Sequence, residues 1–128
     1  MKVLLDTHTL LWAVLSPKTL SRRAAAAVAD ERNEILVSAA SAWEIATKVR
    51  LGRLPGAEVL EREFLETMER AGYALLPIDT VTALRAGRLT SEHRDPFDRV
   101  LAAQALAEDM PLVSADAKLD SFGVRRLW

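Results

Sequence analysis

The chain of 128 residues contains no cysteine, which excludes disulfides, thiolate nucleophiles and cysteine-ligated metal. It has two histidines, His8 and His93, neither with a second histidine or a cysteine at metal-ligand spacing. Both therefore read as local hydrogen-bonding residues. The five glycines form no phosphate loop, since Leu51-Gly52-Arg53 and Pro55-Gly56 match neither nucleotide-binding fingerprint. Aromatic residues make up only 5% of the chain, and Trp12, Trp43 and Trp128 read as packing or interface residues rather than base-stacking platforms. Long hydrophobic runs are missing too. The apolar opening ends at Asp6, shorter than the core of a signal peptide, and nothing approaches a membrane span. These absences predict a soluble, cytoplasmic protein with no membrane partner. A formal net charge of −1 removes any overall signal for polyanion binding.

What is present is a balanced globular composition, 50% hydrophobic and 27% charged, which predicts a single domain over residues 1–128. Thirteen of the 17 basic residues are arginine. Lys48, Arg50, Arg53, Arg94 and Arg99 fall near acidic residues in the sequence, and the guanidinium fork matches phosphate oxygens. A solvated surface is the plain alternative for each of them.

Apolar periodicity and punctuation predict strands at 2–6, 34–38, 73–78 and 111–114, with an edge strand at 124–127. Helices are expected at 7–15, 20–31, 39–51, 57–71, 80–89 and 95–109. Strands alternating with helices at this spacing imply an α/β fold with a parallel sheet covered on both faces. The helical insert at 57–71 is the main irregularity.

Asp6 and Asp116 lie just past the apolar runs Val3-Leu4-Leu5 and Pro111-Leu112-Val113. Ligand sites in open α/β sheets lie beyond the carboxyl ends of strands. Glu44 and Asp98 fall on expected helices. Carboxylates gathered in one place repel each other unless a cation compensates, and hard oxygen donors suit Mg²⁺ or Mn²⁺. Each acid also has an ordinary structural role open to it. Asp6 and Asp116 suit helix or turn caps, and Glu44 with Lys48 makes a surface pair at i,i+4. Asp95, followed by Pro96, is the natural N-cap of its helix, with Asp98 in the first turn. Asp95 capping and Asp98 facing the site is the expected division, and Asp95 remains a candidate outer ligand. Ser114 and Thr7 are further candidates near the site.

Four segments together carry a family resemblance. They are Leu4-Leu5-Asp6-Thr7-His8-Thr9-Leu10-Leu11-Trp12, Ser41-Ala42-Trp43-Glu44-Ile45-Ala46-Thr47-Lys48 with Leu51-Gly52-Arg53-Leu54, His93-Arg94-Asp95-Pro96-Phe97-Asp98-Arg99 with Ala102-Ala103-Gln104-Ala105, and Val113-Ser114-Ala115-Asp116. In this order, over nearly the whole chain, they resemble the PIN-domain ribonucleases of the VapC type, toxins of type II toxin–antitoxin pairs. The resemblance implies a three-layer α/β sandwich with a central parallel sheet. It also implies that Asp6, Glu44, Asp98 and Asp116 are catalytic, metal-binding acids holding Mg²⁺ or Mn²⁺. Further implications are an RNA substrate, a cognate antitoxin and a homodimer. Thr7, Asp95 and Ser114 would be auxiliary, and Lys48, Arg94 and Arg99 would contact RNA phosphates. The neighbourhood of Trp43 and the stripe Val59, Leu60, Phe64, Leu65 and Met68 are candidate partner surfaces, with core packing as the alternative for the stripe.

Two other readings compete. A catalytically silent PIN-like module would bind RNA or protein without cutting. A haloacid-dehalogenase-like phosphatase also starts with a strand ending in aspartate, but it needs a second aspartate two residues on, where this chain has His8.

Overall fold

The computed structural model describes residues 1–128. The first strand, β1 (Lys2–Leu5), runs into α1 (Thr7–Leu15), a 3-10 turn at Pro17–Thr19 and α2 (Arg22–Ala29). Next come β2 (Glu34–Ser38), α3 (Ala39–Arg50), α4 (Glu58–Arg62), α5 (Phe64–Ala71) and β3 (Ala74–Leu76). The chain then forms α6 (Thr80–Arg88), α7 (Pro96–Ala107), β4 (Leu112–Val113), a 3-10 segment at Ala117–Phe122 and β5 (Arg126–Leu127). All strand pairs are parallel, in the order β3-β2-β1-β4-β5. The expected three-layer α/β architecture is the one found.

Alternation along the strands builds the two faces of the sheet. Val3, Leu5, Ile35, Val37 and Val113 face one core, closed by Leu10 and Leu11 of α1, Ala24 of α2, Ile45 of α3, Leu60 of α4 and Met68 of α5. Leu4, Leu36 and Leu112 face the other, against Leu101, Ala102 and Ala105 of α7 with Leu119 and Phe122. Strands buried on both faces explain why the sequence shows continuous apolar runs instead of alternation.

Two expectations change in detail. The insert at 57–71 is broken at Glu63 into α4 and α5, and the break lets Leu60 and Met68 both reach the same core. Val59 and Leu65 of the same stripe stay 55% and 66% exposed, so the stripe is divided between core and surface. β3 is shorter than the expected 73–78, because Pro77 has no N–H to extend the ladder. Gly72 ends α5 in the left-handed conformation (φ 75°) that a side chain resists.

After β1 the chain moves to β2 and β3 on one side, then returns to β4 and β5 on the other. The sheet therefore reverses direction of growth between β1 and β4. Asp6 sits at the carboxyl end of β1 at this switch point, where open α/β sheets form their ligand crevice.

Candidate carboxylate site

Asp6 divides its two oxygens between two tasks. Oδ1 accepts from the Thr9 N–H at 2.7 Å and caps α1. Oδ2 accepts from Ser114 Oγ, which follows β4. The residue is only 6% exposed. Its placement is secured by the backbone, since Asp6 N–H donates to the Val113 carbonyl at 3.1 Å and Thr9 Oγ1 donates to the same oxygen at 2.8 Å. Ser114 is fully buried, and its Oγ also accepts from Asp116 N–H at 3.0 Å. One hydroxyl thus links the ends of β1 and β4. Asp116 itself is exposed and caps the 3-10 segment, with Oδ1 accepting from Lys118 N–H at 3.0 Å.

Thr7 and Ser41 share a hydrogen bond between hydroxyls at 3.0 Å, joining the starts of α1 and α3 inside the protein. Glu44, three residues on, is 4% exposed and pairs through Oε2 with Lys48 Nζ. The i,i+4 pair is present as the sequence suggests, but its carboxylate is buried rather than on the surface. Burial of an ionised group is costly unless it is paired, which accounts for the Lys48 contact.

Asp98 comes from α7, which faces α3; Trp43 of α3 meets Phe97 of α7 edge-on, with ring centroids 4.7 Å apart. Asp95 caps α7, accepting from the Phe97 and Asp98 N–H groups at 2.9 and 3.0 Å, as expected from Pro96. Asp98 is left to project, and its Oδ2 accepts from His93 Nε2 at 2.8 Å. Burial pushes the Asp98 carboxyl above its ordinary value; the His93 hydrogen bond opposes this, and the charges on Asp95 and Glu44 add to it. Glu44 and Asp98 therefore sense each other across the α3–α7 interface.

The structure links Asp6 and Asp116 through the Ser114 hydroxyl at the β1–β4 switch, and sets Glu44 and Asp98 on α3 and α7, two helices that pack against each other. No three carboxylate or histidine side chains stand close enough to share a single ion; each acid instead has a protein partner. The four candidate acids offer only hard oxygen donors, and this donor chemistry fits Mg²⁺ or Mn²⁺.

Arg94 is exposed. Arg99, a candidate phosphate contact, has all five of its N–H donors on backbone carbonyls between Ala86 and His93. Its acceptors lie up to 13 residues upstream in the chain, so no local sequence signal announces the role. His93 is the local hydrogen-bonding residue its isolation suggested.

The sequence matches the PIN domain family over residues 3–124. A 54-residue stretch is 50% identical to Ribonuclease VapC16 of Mycobacterium tuberculosis (strain ATCC 25618 / H37Rv), and this match spans 42% of the chain and 38% of that relative. Among solved structures, VapBC2 from Rickettsia felis bound to a DNA fragment from their promoter is similar over the whole of both chains, with a TM-score of 0.70 and 15% identity. FitAcB from Neisseria gonorrhoeae is similar over 97% of this chain and 95% of that one, with a TM-score of 0.62 and 18% identity. At such identities the two structures speak to the fold. With the family's sequence pattern running from β1 to the segment before β5, over an all-parallel sheet in the order β3-β2-β1-β4-β5, the chain belongs to the PIN domain family.

Proposed function

We propose that the protein is a metal-dependent endoribonuclease that hydrolyses RNA phosphodiester bonds and acts as the VapC-like toxin of a toxin–antitoxin pair. The observation that supports this reading is the burial of two carboxylates, Asp6 following β1 and Glu44 on the helix following β2, each under a tenth exposed in an all-parallel sheet protein. Buried carboxylates are costly to keep, and they concentrate at functional sites. The name of the matched relative, a ribonuclease, supports the substrate class.

In this reading Asp6, Glu44, Asp98 and Asp116 are the acids that would hold one or two Mg²⁺ or Mn²⁺ ions once their side chains leave the protein partners described above, and the bound metal would supply an activated water and offset charge on the phosphoryl group. Ser114 fixes Oδ2 of Asp6 through its buried hydroxyl. Thr7 and Asp95 hold the starts of α1, α3 and α7, and with them the direction of the acids. Lys48 and Arg94 offer positive charge to RNA phosphates, and such contacts make binding fall with salt. The protein would work in the cytoplasm as a homodimer restrained by a cognate antitoxin. The apolar groove between Ala39, Ala42, Leu65 and Leu75, beside the 57%-exposed Trp43, supports one such protein contact. No helix is long and apolar enough to cross a membrane.

The test is cleavage of a panel of structured RNAs by purified, antitoxin-free protein with Mg²⁺ or Mn²⁺. Parallel arms contain EDTA or the Asp98→Asn variant. Cleavage lost in both arms is the expected result. Cleavage that survives Asp98→Asn removes Asp98 from the site. No cleavage by folded protein that binds Mn²⁺ favours a module that binds without cutting.

A further inference from the structure

A connected set of contacts stands behind Asp98. The Arg99 guanidinium folds back over the end of α6 and the segment leading to α7. Nε donates to the Ala86 carbonyl at 2.9 Å, Nη1 to Ser91 at 3.0 Å and His93 at 2.8 Å, and Nη2 to Gly87 at 3.3 Å and to Leu89. Every donor of the guanidinium is used. Ala86 and Gly87 lie in the last turn of α6, whose carbonyls lack donors within the helix, and a cation is favoured at that negative end.

His93 is held by the same construction from several sides. Its carbonyl accepts from Arg99, its N–H donates to Ser91 Oγ at 3.1 Å, and its ring meets Phe122 edge-on at 5.4 Å. Phe122 also lies under the Arg99 guanidinium, 5.9 Å from ring centroid to carbon. The imidazole so fixed donates Nε2–H to Asp98 Oδ2, because a carboxylate can only accept.

We infer that Arg99 is a positioning residue for Asp98, acting through its clamp on the 86–93 carbonyls and the imidazole of His93, and that it does not bind RNA. The inference rests on the proposed role of Asp98 in the carboxylate site. The segment between α6 and α7 has no regular structure of its own. Without the clamp only its side-chain contacts order it, and the Asp98 carboxylate loses the donor that sets its orientation. A lysine keeps the charge but presents three donors from one point, so it cannot hold five carbonyls spread along the segment.

The experiment uses the full chain with Arg99→Lys, His93→Ala, His93→Gln and the Arg99→Lys/His93→Ala double variant. Titration calorimetry with Mn²⁺ alone reads the carboxylate site directly, and RNA cleavage supplies kcat, KM and salt dependence. Outer partners of metal-binding groups are worth roughly 10–100-fold in affinity or activity. Arg99→Lys is expected to weaken Mn²⁺ binding and lower kcat by about 10-fold, with KM for RNA and the salt slope unchanged. His93→Ala should do the same, the double variant should be no worse than either single one, and His93→Gln should recover part of the loss. A raised KM with kcat kept and a salt slope reduced by about one would make Arg99 a phosphate contact and overturn the inference. Additive losses in the double variant would overturn it as well. If Arg99→Lys fails to fold, the His93 pair decides, and unchanged Mn²⁺ affinity in His93→Ala refutes the idea. Should the wild-type protein bind Mn²⁺ but cut no RNA, the proposed function fails separately, and equal Mn²⁺ affinities across the folded variants would still sink this inference.

Discussion

Replacing Ser114 by alanine should damage both stability and the site through one buried hydroxyl. Ser114 is fully buried, donates to Asp6 Oδ2 and accepts from the Asp116 N–H. A hydrogen bond to a charged group contributes about 1.5–3 kcal/mol, and a buried acceptor left without its donor loses its share of that. Asp116 is exposed, so its N–H regains water and adds little. The expected loss is therefore about 2 kcal/mol, set by the Asp6 side alone. With a urea m-value of ~1–3 kcal/mol/M, the unfolding midpoint should fall by roughly 1 M at unchanged m. In an Asp6→Asn background the bond is neutral, so the same substitution should cost only about 1 kcal/mol. RNA cleavage by Ser114→Ala should also fall, because Oδ2 of Asp6 is no longer held. A shift under ~0.3 M in urea, with cleavage intact, would refute the claim that this hydroxyl organises the β1–β4 end of the site.

Three other outcomes follow from the geometry. Asp98→Asn should melt higher than the wild type at pH 7, by thermal unfolding followed with circular dichroism. Burial first, and then the Asp95 and Glu44 charges, raise its folded carboxyl above the ordinary 3.8, so ionising it costs stability as pH rises through that folded value; the variant's advantage should shrink toward pH 4. Asp95→Ala should destabilise by about 1 kcal/mol in urea titrations while Asp95→Ser keeps most of the stability, because a serine still caps α7; equal cleavage by Asp95→Ser and wild type would confine Asp95 to capping. Leu101→Ala, at a fully buried position between α7 and the sheet, should cost about 2–5 kcal/mol, and a loss below 1 kcal/mol would mean that the second core is not packed as described.

Much of the architecture was legible because its signals are local. Asp6 and Asp95 announce helix starts, and the runs Val3-Leu4-Leu5 and Leu112-Val113 announce strands buried on both faces. The break at Glu63 was not legible, since an amphipathic stripe continues through it and only the core decides where a helix must turn. Likewise the i,i+4 spacing of Glu44 and Lys48 predicts a pair but not its burial.

The sequence by itself determined the order of elements, the caps that start the helices, the parallel α/β class and the identity of the candidate acids. These follow from side-chain periodicity and from residues that bond their own nearest backbone. Tertiary structure alone decided the partners of the acids, because Asp6 and Ser114 lie 108 positions apart and join only where β1 pairs with β4. It also set the Arg99 guanidinium on five carbonyls, since a guanidinium goes where unpaired acceptors converge, and the fold sets that place.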